Sequence, residues 1–260
     1  MNDRSPPRLL RRGQMPAWAY KCHECGRKDA PALVEFCIVV GGSDGNYDGE
    51  YLACFECLSR ARDLFFDPAL VETKTPMFSF EKEIRDFATK MHGDQKYDSG
   101  AAPYILHLAA VRDAIIEFGF GPPNETFGEN YVAAAWLHDV LEDTPAKPSD
   151  VSSRFGGVTL KFVWAVTGTG KNRKERNEDA YQKMEKEPHA IPLKLADRIC
   201  NTRASKISSP DKLFKMYAEE YASFRTRLRG PSLTHVPHCR PMWDHLDEIS
   251  KDEERKGAKT

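Results

Sequence analysis

Four ionisable side chains close one apolar stretch of this chain. In YVAAAWLHDVLED, residues 131–143, His138 and Asp139 are adjacent, and Glu142 and Asp143 follow one turn later. On a helix of 3.6 residues per turn, His138 stacks with Glu142 and Asp139 with Asp143. Buried charge is costly without a partner or a metal. A lone His-Asp pair suits a helix end emerging into solvent. With Glu142-Asp143-Thr144 attached, the pattern predicts a metal-centred active site. Two more residues offer matching chemistry: His107 in PYILH and Asp197 in LKLADRICN. Each also has a plainer reading, His107 as a core histidine with one satisfied hydrogen bond, Asp197 as the partner of Arg198. A divalent cation that acts on water needs neutral imidazoles, carboxylates and open positions. His107, His138-Asp139 and Asp197 supply that set from three separate helices.

A second cluster is cysteine-based. Cys22-His-Glu-Cys25 and Cys54-Phe-Glu-Cys57 are two CxxC pairs within a short segment, and Cys37, Cys200 and Cys239 are scattered. Paired CxxC motifs indicate a metal site better than a disulfide framework. Four thiolates complete a tetrahedral Zn²⁺ and leave no open position for chemistry. His23 and Cys37 are alternative ligands in principle, but the four-cysteine set is already complete. Knuckle, β-rich stretch (33–40), turn cluster (41–46), return strand (50–53) and a helix over 58–66 resemble a treble-clef zinc finger. Its role is a structural staple for a segment too small to bury its own core, or docking of a protein partner.

The elements that must position these residues read as helical from residue 79 onward. Phe80, Ile84, Phe87, Ala88 and Met91 make a 3.6-period stripe with Ser79 as a plausible N-cap. A polar loop, 94–102, follows, and Pro103 opens the helix that carries His107 and ends near Gly119. Short helices are predicted over 149–155 and 160–167. Lys171, Arg173, Lys174 and Arg176 form a basic run that is a solvated helix start or a phosphate contact. Gly168-Thr169-Gly170 lacks the spacing of a nucleotide-binding loop. Asp197 and Asn201, four apart, share a face of the next helix. The last core helix is predicted over 214–228. Beyond Pro231 the chain looks loosely patterned, with His235, His238, Cys239 and His245 at irregular spacing for a metal. The predicted organisation is a disordered tail (1–16), a zinc-binding α+β unit (17–67), a linker (68–78), an all-helical domain (79–230) and a C-terminal extension (231–260).

Composition narrows the partners. Hydrophobic residues make up 40% and charged residues 30% of 260, with a formal net charge of −1. No global field points to nucleic acid or to a membrane surface. No apolar run approaches the ~20 residues of a membrane span, and no secretory signal is evident. Metal-type cysteine usage fits a reducing, cytoplasmic compartment.

The order H…HD…D is that of HD phosphohydrolases. MHGDQK…PYILH, AAAWLHDVLEDT, SSRFGG and LKLADRICN together resemble the hydrolase domain of the RelA/SpoT homologues, the small alarmone hydrolases above all. The resemblance covers residues 79–230. It implies a mainly α, all-helical HD domain and a Mn²⁺-dependent enzyme that removes the 3′-pyrophosphate of ppGpp and pppGpp, giving GDP or GTP. Some relatives act as NADPH 2′-phosphatases, and a non-catalytic alarmone-binding regulator is a third reading. By resemblance His107, His138, Asp139 and Asp197 are the metal ligands. Glu142 and Asp143 are the catalytic pair, either of which can serve as base. Lys96, Tyr97, Lys171, Lys194 and Asn201 are candidate contacts to phosphate or nucleoside. Two departures stand out. Lys96-Tyr97 occupies the region where the family has an Arg, which loses a bidentate fork and stacking plane. The cysteine-rich unit has no counterpart in the small hydrolases. The residues after the last predicted core helix leave no room for a synthetase domain.

Overall fold

A computed structural model describes residues 8–11, 32–37, 50–54, 77–97, 102–123, 125–208 and 210–251. The chain divides into two units, Met1–Asp67 and Pro68–Thr260. In the first, three antiparallel strands run in the order β1 (Arg8–Arg11), β2 (Ala32–Cys37), β3 (Glu50–Cys54). Strands β2 and β3 pair with Leu33 opposite Cys54 and Cys37 opposite Glu50, where the sequence predicts a strand and its return. Strand β1 is a correction to the expected tail over 1–16. Its four residues, RLLR, carry two central leucines and pair with β2, Leu9 opposite Val34. Cys54 ends β3. Cys22, Cys25, Cys57, the helix expected over 58–66 and most of the linker lie outside the described residues.

The second unit is helical, with a single two-stranded clip. Its elements are α1 (Glu81–His92), β4 (Lys96–Tyr97), β5 (Ala102–Pro103), α2 (Ile105–Glu117), α3 (Gly128–Leu137), α4 (Val140–Asp143), α5 (Pro148–Phe155), α6 (Gly157–Val166), α7 (Arg173–Lys186), α8 (Ile191–Ser208), α9 (Lys215–His235) and α10 (Arg240–Lys251). Helix α2 lies between α3 and α8, α3 also packs on α1 and α6, and α8 rests on α10. Helix α2 is apolar nearly all round, with Ile105, Leu108, Val111, Ala114 and Ile115 buried. That is the signature of a central helix. The polar loop expected over 94–102 carries a clip in which Lys96 faces Pro103 and Tyr97 faces Ala102, so Pro103 ends a strand rather than opening the helix, which starts at Ile105.

Helix α1 starts without the expected Ser79 cap. The Glu81 carboxylate accepts the Phe78 N–H at 2.8 Å. Glu81 is fully buried, and so is Arg112 of α2. The Arg112 guanidinium donates to both Glu81 oxygens, 2.5 and 2.8 Å, and to Asp113 at 2.9 Å. The Trp136 indole of α3 donates to Glu81 at 2.6 Å. Three helices thus meet at one saturated carboxylate.

Two boundaries differ from the sequence reading. The stretch 131–143 is not one helix. It breaks at His138-Asp139, with Asp139 at φ −102°, ψ −1° and its carbonyl accepting the Glu142 and Asp143 amides. The expected extension after 230 is instead core. Helix α9 runs through Pro231 to His235, and α10 buries Met242, Trp243 and Leu246. Val236, Cys239, Met242, Trp243 and Leu246 keep helical spacing, and Pro237 and Pro241 sit in first turns, where a missing N–H costs nothing. Replacing Trp243 by Ala should therefore lower unfolding free energy by about 3–5 kcal/mol in urea titration. The same change at Trp164, which is 45% exposed under Lys183, should cost only about 0.5–1 kcal/mol.

Candidate metal centre and pocket

The helix break at 138–139 is what makes a centre possible. Neighbouring residues on a continuous helix point about 100° apart. Across the turn, His138 Nε2 comes to 2.9 Å from Asp139 Oδ2. From α2, His107 Nε2 reaches 3.2 Å from His138 Nε2 and 3.8 Å from Asp139 Oδ2. From α8, Asp197 Oδ1 lies 3.4 Å from His107 Nε2 and 3.8 Å from His138 Nε2. The four groups that the sequence singles out therefore converge. Ligand atoms of His107, His138 and Asp139 all fall within 4.8 Å of one another.

The surroundings orient each group. His138 Nδ1 donates to the Ala135 carbonyl at 2.9 Å, so in the neutral ring Nε2 presents its lone pair to the cluster. Tyr104 donates to Asp139 Oδ2 at 2.5 Å; burial and the nearby Asp139 charge push its phenol well up, so it remains a donor. Lys194 binds Asp197 Oδ2 at 2.9 Å, and the Asn201 amide binds Oδ1. Tyr97 donates to Asn201 Oδ1 at 2.8 Å and stacks on the His107 ring with centroids 4.5 Å apart.

The charges of the cluster are strongly coupled to its burial. Burial disfavours a charged His138, yet Asp139 and Asp197 outweigh it and carry its pKa up to about 9. Burial would raise the Asp139 carboxyl, but His138 holds it well below the usual range. Asp197 is likewise depressed, by Lys194 and the two imidazoles against its burial. One buried and one half-buried carboxylate facing two imidazoles hold a positive charge tightly, and a donor set of two nitrogens and two oxygens suits a divalent cation. The residues present fit a metal.

Beside the centre lies a pocket of ≈ 370 Å³. Its lining includes the acids Asp139, Glu142, Asp143 and Asp197 and the cations Arg173, Arg176, Lys194 and Arg198. Glu142 and Asp143 diverge in their partners. Glu142 Oε2 accepts the Gly168 N–H at 3.0 Å, and Oε1 lies 3.3 Å from Arg176. Burial raises its pKa, against that Gly168 bond and the charge of Lys194. Asp143 Oδ2 accepts from Gln95 at 2.9 Å. Of the expected nucleotide contacts, Tyr97, Lys194 and Asn201 line the pocket. Lys96 and Lys171 are exposed and do not line it. Strand alternation turns only one of Lys96 and Tyr97 inward. The Lys171 amide instead donates to Glu175 at the start of α7, which Asn172 caps.

The sequence reading did not commit to Arg173, Arg176, Arg198 or Tyr217. The signal was present in part, since 173, 176, 177 and 180 form one helical face of α7 and all line the pocket. The Cys239, His235, His238 and His245 group is not gathered. His238 binds Glu125 at 2.8 Å, and His245 accepts from Arg203 at 2.9 Å.

No family model matches the sequence. Individual proteins do. A guanosine-3′,5′-bis(diphosphate) 3′-pyrophosphohydrolase of Aquifex aeolicus is 34% identical over 151 residues, 55% of this chain and 20% of the relative. The chain is similar to ppGpp pyrophosphohydrolases. The bifunctional (p)ppGpp synthase/hydrolase SpoT of Escherichia coli is 35% identical over 133 residues, 48% of this chain and 18% of that protein. The chain thus spans about a fifth of the length of these longer relatives. MESH1 of Danio rerio, named for the same hydrolase activity, is 28% identical over 151 residues, 56% of this chain and 80% of that protein. A solved structure of a metazoan SpoT orthologue that hydrolyses ppGpp superposes with a TM-score of 0.56 at 25% identity, over 69% of this chain and 98% of that one. Among the described residues no helix is long and apolar enough to cross a membrane.

Glu220 binds Arg173 at 2.6 Å and Arg198 at 3.0 Å. Burial pushes the Glu220 carboxyl up, but the two guanidiniums outweigh this and its pKa is lowered. A depressed carboxylate stabilises the fold above its unfolded-state pKa and loses that contribution as pH falls through the folded value. Glu220→Gln should be less stable than wild type at pH 7, and the gap should narrow below about pH 4.3, as read by thermal melts across pH.

Proposed function

We propose that the chain is a metal-dependent hydrolase that removes the 3′-pyrophosphate of ppGpp and pppGpp, giving GDP or GTP and pyrophosphate. The observation that carries it is the joining of the His107, His138, Asp139 and Asp197 cluster to a pocket also lined by Arg173, Arg176, Lys194 and Arg198. The names of the relatives support the substrate. A divalent cation such as Mn²⁺, held by those four residues, would polarise a phosphoryl oxygen and acidify water.

The remaining roles fall to the protein's own groups. Water adds to the phosphorus attached to ribose O3′, the P–O3′ bond breaks, and O3′ takes up a proton as pyrophosphate leaves. Glu142 or Asp143 accepts the proton of the attacking water, since both line the pocket next to the cluster. Arg173, Arg176 and Arg198 neutralise phosphate charge. Lys194 and Asn201 orient Asp197, and Tyr97 braces His107 while presenting an aromatic surface to the pocket. That aromatic surface, where the resembled family carries an Arg, favours a second reading in which another nucleotide phosphate such as the 2′-phosphate of NADPH is removed. The cysteines Cys22, Cys25, Cys54 and Cys57 are proposed to hold a structural Zn²⁺, leaving the finger free to serve a protein partner.

Purified, Mn²⁺-loaded chain should convert ppGpp to GDP and pyrophosphate. Glu142→Ala and Asp197→Ala should each lose about 10²–10⁴ in rate. Intact ppGpp after prolonged incubation would sink the substrate assignment, and phosphate release from NADPH alone would select the second reading. Elemental analysis should find one zinc per chain, lost in a Cys22→Ser, Cys25→Ser double variant. Zinc retained in that variant would reject the four-cysteine site.

A further inference from the structure

Between the end of α1 and the catalytic pair runs a short chain of side chains. His92 closes α1, and the Gln95 amide nitrogen of the backbone donates to its carbonyl at 2.9 Å. The Gln95 carbonyl accepts the Tyr104 N–H at 3.0 Å, where the β4–β5 clip begins. Both backbone groups of Gln95 are therefore fixed. Its side chain bridges two elements. Gln95 Oε1 lies 2.8 Å from His92 Nδ1, and Gln95 Nε2 donates to Asp143 Oδ2 at 2.9 Å.

The hydrogen-bond roles in this chain have one solution. A carboxylate only accepts, so the amide must turn its NH₂ toward Asp143. Its oxygen then faces His92 and needs a donor, so His92 carries its proton on Nδ1. Burial lowers the His92 pKa, against the Gln95 bond, which suits a neutral ring. Among the described residues its Nε2 is buried with no partner, as a ring whose one proton is committed to Gln95 would leave it. The ring also stacks on Tyr104 with centroids 4.6 Å apart. A flipped amide would set its oxygen against the Asp143 carboxylate. His92 thus fixes the amide, and the amide fixes one carboxylate oxygen.

We propose that Gln95 is a positioning residue for Asp143, aligned in turn by His92. It holds Oδ2 and leaves the other oxygen for water and phosphate in the pocket. Gln95 itself neither lines the pocket nor belongs to the metal cluster, and its side chain reaches the site through Asp143. The inference rests on the hydrolase reading above.

Steady-state kinetics with ppGpp and Mn²⁺ test it. In Gln95→Leu, kcat should fall about 10–100-fold, the range for loss of a supporting hydrogen bond behind a reactive group, with KM and Mn²⁺ affinity within about twofold of wild type. His92→Phe keeps a ring against Tyr104 but has no Nδ1–H, and should lower kcat in the same sense. Asp94→Ala, an exposed change in the same loop, should leave kcat unchanged, which separates positioning from general disturbance of the loop. The proposal is overturned by wild-type kcat in Gln95→Leu or in His92→Phe. It is equally overturned by a loss that Asp94→Ala reproduces, or by a loss that appears as Mn²⁺ affinity rather than kcat. An inactive wild type would remove the hydrolase reading itself. An active wild type with an unimpaired Gln95→Leu would remove only the role of Gln95.

Discussion

Arg112 is buried with its charge intact, and three helices depend on how that charge is met. Glu81 takes two of its donors and Asp113 a third, while the Trp136 indole and the Phe78 amide fill the remaining lone pairs of Glu81. A buried ion pair that is left half-made costs about 3–5 kcal/mol, so the geometry admits little slack. Helix α1 leads to His92 and Gln95, α2 carries His107, and α3 ends at His138-Asp139. The interaction that sets these three helices is remote from the chemistry, yet it fixes the relative positions of most groups in the centre. It is directional, unlike apolar packing, and a site that needs sub-ångström alignment gains from that.

The centre and the pocket bring acidic and basic side chains together. Around His107 and His138 stand the carboxylates of Asp139 and Asp197, the latter bound by Lys194. Arg173, Arg176 and Arg198 also line the pocket and carry positive charge, tempered by Glu220 and Glu142. Under the proposed function a polyphosphate would meet both sets, its reacting end at the His107–His138 cluster and its other charges on guanidiniums.

Much of this was legible in the sequence because it follows from local rules. The stripe of Ile84, Phe87 and Ala88 is buried in α1, and His107, His138, Asp139 and Asp197 converge. The break after Leu137 was not legible, since no Gly or Pro marks it; it follows from tertiary packing of the flanking helices. The C-terminal helix was hidden by Pro231, Pro237 and Pro241, which read as breakers but occupy a helix interior that tolerates the ring and two first turns. The resemblance suggests Lys96 and Lys171 as ligand contacts, but both are exposed and neither is among the residues lining the pocket, a matter of facing that depends on tertiary structure.

Helix α8 brings Lys194, Asp197 and Asn201 to the centre with one side and leans on α10 with the other. Because chains are synthesised from the N-terminus and fold as their segments emerge, His107, His138 and Asp139 leave the ribosome long before Trp243. The Asp197 carboxylate sits on a helix whose apolar backing is made later than any of the groups it joins. A nascent chain can therefore display His107, His138 and Asp139 before Asp197 has firm support, and the gathering of all four groups waits on the segment that carries Trp243.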